Sequence, residues 1–92
     1  MLEGLYQSKK DYEYDIKVRV RETKKSYIIQ FVEDNSRFFP AHLGMLFGAK
    51  NKAVIEKEKS KHYFEIYDDG KWFIIYPFRM GIPFLFDKVV EN

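Results

Sequence analysis

From Asp11 to Arg21 the chain reads D-Y-E-Y-D-I-K-V-R-V-R, with a charge at every odd position and Tyr12, Tyr14, Ile16, Val18 or Val20 at every even one. Alternation with a period of two places one row of side chains in a core and the other in water, the mark of a half-buried strand. The run is about twice the usual strand length, so a bend or bulge is expected near Asp15. A second strand, Ser26–Glu33, follows at hairpin distance. With Glu22–Lys25 as the turn, Arg21 faces Ser26, Val20 faces Tyr27, Val18 meets Ile29 and Ile16 meets Phe31. Glu22 then sits opposite Lys25, and the apolar pairs share one face, as a specified register requires. The other face carries Lys17, Arg19 and Arg21 beside Ile28, Gln30 and Val32.

Asn35 and Ser36 mark a turn, and Pro40–Phe47 suits a short helix. Proline fits the first helical position and Gly48 the residue just past the end. Leu43, Leu46 and Phe47 then share a face, although Gly44 weakens the helix by about 1 kcal/mol relative to alanine. Lys52–Lys59 mixes β-branched residues with helix formers. The β-branched part, followed at once by a hairpin, favours a strand.

That hairpin is His62–Tyr67 and Lys71–Phe78 around Asp68-Asp69-Gly70, and Asp-Gly is among the best short hairpin signals. A two-residue turn groups Phe64 and Ile66 with Phe73 and Ile75, leaving Tyr63, Glu65, Tyr67, Trp72, Ile74 and Tyr76 on the other face. A three-residue turn would instead put Trp72, Ile74 and Tyr76 beside Phe64 and Ile66. Both stay open. Arg79–Pro83 reads as a loop and Phe84–Val90 as a last strand. The expected fold is mostly β (α+β): five to six short, mainly antiparallel strands in a small, partly open barrel or curved sheet, with one short helix near 40–47.

Composition tightens this picture. Ninety-two residues suit a single domain, 1–92. Nine Phe, seven Tyr and one Trp supply the apolar area that so short a chain needs for a core. The absence of cysteine excludes disulfides and thiolate metal sites. No apolar run approaches the roughly 20 residues of a spanning helix, and no signal-peptide pattern opens the chain, so a cytoplasmic location without membrane contact is expected. Sixteen Lys and Arg against fourteen Asp and Glu leave a net charge of only +2, low for a dedicated nucleic-acid binder.

Three groups of residues carry candidate chemistry. Lys17, Arg19, Arg21, Lys24 and Lys25 could follow a phosphate backbone through ion pairing and counterion release; as a plain strand face, the same charges would merely discourage edge pairing. Ile28 adds an apolar element that suits a protein partner. Tyr63, Tyr67, Trp72 and Tyr76 would form an aromatic face that stacks bases or anchors a protein, or else fill the interior. Arg79 and Met80 sit in a connecting loop, where recognition residues concentrate. No catalytic constellation is present: His42 and His62 are the only histidines, and neither a metal-ligand spacing nor a phosphate-binding loop accompanies them. The expected function is therefore a non-enzymatic, cofactor-free protein-binding module of inhibitor or adaptor type, such as phages and mobile elements encode. A nucleic-acid-binding accessory domain is the alternative, and a homodimer is compatible with either.

Overall fold

The computed structural model describes residues 2–9 and 14–91. Seven strands make one antiparallel, nearly closed sheet: β1 (Gly4–Ser8), β2 (Ile16–Glu22), β3 (Ser26–Asp34), β4 (Lys52–Glu56), β5 (Tyr63–Tyr67), β6 (Trp72–Tyr76) and β7 (Phe84–Lys88). Their spatial order is β4-β3-β2-β1-β7-β6-β5, so β1 joins two meanders and the outer edges belong to β4 and β5. A helix, α1 (Ala41–Phe47), packs on β4 and on a 3-10 turn at Pro77–Arg79. It starts one residue after Pro40, whose backbone is extended, and ends where Gly48 adopts φ 62° and returns its N–H to the Gly44 carbonyl. Leu43, Leu46 and Phe47 are buried, as their spacing implied.

The expected mostly β fold with one short helix is the observed one, with seven strands in place of five to six. The extra strand is β1. Its alternation is short and weakly apolar, with Tyr6 inside and Leu5 and Gln7 outside, too little for a periodicity to register. Three expected strands also stop short: β4 at Glu56, β6 at Tyr76 and β7 at Lys88.

The first hairpin keeps its expected faces but not its register. Val20 opposes Ile29, Val18 opposes Phe31 and Ile16 opposes Asp34, a slip of two residues near the turn that preserves the inward row. Thr23 is the cause. Its backbone N–H donates to the Ser26 carbonyl at 2.8 Å, and its Oγ1 accepts the N–H groups of Lys25 and Ser26. The turn therefore moves to Thr23–Ser26, and Glu22 pairs with Tyr27 rather than Lys25. The irregularity falls between Lys17 and Val18, where Val32 of β3 is the extra residue, not at Asp15. Asp11–Glu13 of the expected strand lie outside the described residues.

The second hairpin follows the two-residue alternative. Tyr67 opposes Trp72 and Phe64 opposes Ile75, and the Lys71 N–H donates to the Asp68 carbonyl at 3.1 Å. Asp69 (φ 56°, ψ 38°) and Gly70 (φ 89°) take the left-handed backbone of a type I′ turn.

The inward row of every strand meets in one core, from Tyr6, Val18 and Ile29 to Ile55, Phe73, Ile75, Phe84 and Phe86. Rings run through it in series: Tyr27 to Phe64 at 5.3 Å, Phe64 to Phe73 at 5.1 Å, then Phe73 to Tyr6 at 5.0 Å and to Phe86 at 5.2 Å. Such ring pairs add about 0.5–1.5 kcal/mol each beyond burial. The Tyr27–Phe64 contact bridges β3 and β5 across the seam where β4 and β5 do not pair. Tyr6 pins β1 to the second hairpin: its hydroxyl lies 2.6 Å from both the Leu2 and the Gly70 carbonyls, and burial raises its pKa to about 12. Gly4 takes φ 147°, a backbone conformation that residues with a Cβ rarely adopt, so a substitution there is strained.

Candidate functional site

The expected site residues divide between two exterior regions separated by β1 and β7. On β2 the outward row is Lys17, Arg19 and Arg21. Lys17 pairs with Glu33 across the hairpin at 3.1 Å. The guanidinium of Arg19 donates to both carboxylate oxygens of Glu91, at 3.4 and 3.2 Å, which holds that carboxyl below its usual pKa. Arg21 has no ion-pair partner among the described residues and stands in an exterior row with Ile28 and Val54. Lys24 and Lys25 occupy the turn, above a shallow cavity of about 380 Å³ that Val54, Glu56, Lys57 and Glu58 also line. The cations thus share one side of the sheet, but carboxylates interrupt the row.

The aromatic residues do not fill the interior. Tyr63, Tyr67, Trp72 and Tyr76 all lie on the outward face of the β5–β6 hairpin, while Phe64, Phe73 and Ile75 pack on the core and Ile66, on their side of the hairpin, stays 38 % exposed. They form two cross-strand pairs. Tyr67 stacks on Trp72 at 4.2 Å and 13°, and Tyr63 meets Tyr76 edge to face at 5.4 Å. Between the pairs run Glu65, Ile74 and Leu85, one from each of three adjacent strands. The Tyr67 hydroxyl donates to Glu65, and that bond raises the phenol's pKa. The Lys9 ammonium lies 5.5 Å from the Trp72 ring centroid, a cation–π distance.

The loop residues join this face. Arg79, Met80 and Gly81 line a surface depression of about 460 Å³ together with Tyr63 and Tyr76. Met80 is held there by a turn in which Phe78 (φ 55°) and Arg79 (φ 56°) are both left-handed, and its N–H donates to the Pro77 carbonyl at 3.1 Å. His62 fixes this turn. Its Nδ1 accepts the Phe78 N–H at 2.9 Å, its ring meets Phe78 edge to face at 4.7 Å, and the Arg79 guanidinium donates to the Ser60 carbonyl at 3.1 Å. Burial, then the neighbouring Lys61, lower the His62 pKa.

Leu85 and Lys9 were missed by the sequence reading, as was the role of His62. Leu85 stands between the inward Phe84 and Phe86 of the expected Phe84–Val90 strand, so a period of two along that strand would have placed it outward. Lys9 and His62 reach their positions through long-range folding, which no local pattern reports.

Among the described residues no group of three or more His, Asp or Glu side chains is placed to hold a metal ion, and no helix is long and apolar enough to cross a membrane. No protein-family model, curated protein or solved structure matches the chain.

Proposed function

We propose that this chain is a non-catalytic protein-binding module, of inhibitor or adaptor type, whose contact surface is the exterior of β5, β6 and β7 with the Arg79–Met80 loop. The observation that carries the reading is the depression shared by Tyr63, Tyr76, Arg79 and Met80, continuous along the hairpin with Tyr67 and Trp72. Tyr, Trp, Arg and Met are the residues enriched where proteins meet proteins, and Tyr, Trp and Arg carry most of the binding energy there. Apolar Ile74 and Leu85 lie between the ring pairs.

Nucleic acid fits the same surface less well. Glu65 sits between Tyr63 and Tyr67, and Asp87 opposes Trp72, so carboxylates stand where phosphates would pass. Trp72 already has Tyr67 against its ring and Lys9 near it, which limits the face left for a base. On β2, two of the three outward cations are paired with carboxylates.

Trp72 is the chain's one tryptophan and stands on the proposed surface, so its fluorescence reports directly. Titration with single-stranded and duplex oligonucleotides at about 50 and 200 mM salt, the range over which phosphate contacts weaken steeply, should give no saturable change. Saturable quenching near or below micromolar oligonucleotide, lost at the higher salt, would replace the protein reading with the nucleic-acid one.

A further inference from the structure

Where β4 and β5 fail to pair, a cavity of about 360 Å³ opens beside the seam. His62 and Arg79 line it from the β5 side, and Glu56 and Glu58 from the β4 side. The His62 side chain is only 6 % exposed. Because Nδ1 accepts the Phe78 N–H, the neutral ring carries its proton on Nε2. Burial and Lys61 favour that neutral form. Nε2 has no hydrogen-bond partner among the described residues, yet no buried side-chain nitrogen or oxygen there lacks one. The Nε2–H therefore retains some access, and His62 is one of the side chains that line this cavity.

Arg79 reaches the same cavity from a backbone that L-residues seldom adopt. Consecutive left-handed residues without glycine persist only where the surroundings enforce them, and such strain gathers at ligand clamps. Here the His62–Phe78 bond and the Arg79–Ser60 bond enforce it. One guanidinium nitrogen is used by the Ser60 carbonyl, which leaves further N–H donors. Lys57 also lines the cavity, but its ammonium is held by Glu22 at 2.7 Å.

We propose that this cavity is a subsite for a single carboxylate, bound by the Nε2–H of His62 and the guanidinium of Arg79. Glu56 and Glu58 on the far wall make it hostile to a second negative charge, so inorganic phosphate is disfavoured at a pH where it is a dianion, the condition of the test below, although its oxygens could reach the same donors. The inference goes beyond the protein-binding reading, whose surface shares Tyr63 and Arg79 with this cavity; a free organic acid and the carboxylate of a polypeptide present the same chemistry.

The test is heteronuclear NMR of the whole chain, following the His62 ring and the Arg79 side-chain N–H during titration with sodium acetate, inorganic phosphate and sodium chloride. Acetate should shift both groups saturably, while phosphate behaves like chloride. Arg79→Gln should weaken acetate at least tenfold. His62→Asn, which keeps an acceptor for Phe78 but places no N–H where Nε2 stood, should do the same. If that variant does not fold, the exposed Arg79 decides alone. Equal responses to acetate and chloride, phosphate binding as well as acetate, or an unaltered Arg79→Gln would each overturn the proposal. An acetylated tripeptide with a free C-terminus, compared with its amide, separates the sources. Only the acid should bind; tighter binding than acetate assigns the carboxylate to a polypeptide, weaker binding to a small organic acid, and equal binding of acid and amide rejects the subsite.

Discussion

The exteriors of β2 and of the β5–β6 hairpin both carry expected site residues, cations on one and rings on the other, and they end differently. On β2 the long cationic side chains reach carboxylates supplied by neighbouring segments: Glu33 from β3 and Glu91 from beyond β7. On the hairpin the outward rings pair with one another and with a strained loop, so that apolar area and hydrogen-bonding groups remain at the surface. Charge is neutralised by whatever lies near, whereas ring area on the outside of a filled barrel has no interior left to enter. An outward aromatic cluster is therefore the more informative surface of the two.

If the β2 exterior is the solvated back of a core strand, a charge must be far costlier at its inward positions than at its outward ones. Val18→Asp buries an unpaired carboxylate at a site with 0 % exposure and should cost several kcal/mol, enough to unfold so small a domain, while Arg21→Asp should leave the melting temperature within a few degrees of the parent. Comparable melts for the two would break the assignment of faces.

A smaller effect separates the regions by pH. The His62 pKa is lowered in the folded chain from an ordinary value of 6.5, so the unfolded chain takes up the proton first as the pH falls. The stabilisation from neutral His62 is complete above about 6.5 and is lost as the pH falls from there through the lower folded value. Melts from pH 7.5 to 5 should show this decline in the parent and a flatter profile in His62→Asn; identical profiles would mean that the turn behind the aromatic surface does not rest on His62. The smallest effect is expected on β2. Replacing Lys17, Arg19 and Arg21 together by Gln removes two exposed ion pairs, worth about 0.2–1 kcal/mol each, and should shift stability by no more than about 2 kcal/mol in denaturant titrations. A larger loss would make the cationic row a structural element in its own right.

Much of this was legible in the chain. Strict alternation identified the inward row of β2, because a period of two survives a register slip by two, whereas the second hairpin left two registers with opposite faces open until Asp69-Gly70 proved to be its turn. The slip itself was not legible: it depends on the Thr23 hydroxyl competing for backbone N–H groups. Nor was β1, whose pairing to both β2 and β7 comes from sheet closure rather than from its own sequence. For the candidate site, residue types were readable but neighbourhood was not. Arg79 and Met80 join Tyr63 and Tyr76 because the Pro77–Arg79 turn doubles back on the hairpin, a path fixed by His62 from the preceding strand connection.

The assignment of the working surface is tested most directly by quantitative capture from nuclease-treated lysate of the native host, with three baits side by side: the parent, Trp72→Ala combined with Tyr63→Ala, and the Lys17, Arg19 and Arg21 triple Gln variant. Each alanine removes an anchor of the kind that contributes about 2 kcal/mol or more at protein interfaces. A protein retained by the parent and the triple variant and lost from the folded double variant is the expected result. Retention by the double variant with loss from the triple one, or capture of no protein by the parent from this nuclease-treated lysate, would contradict it.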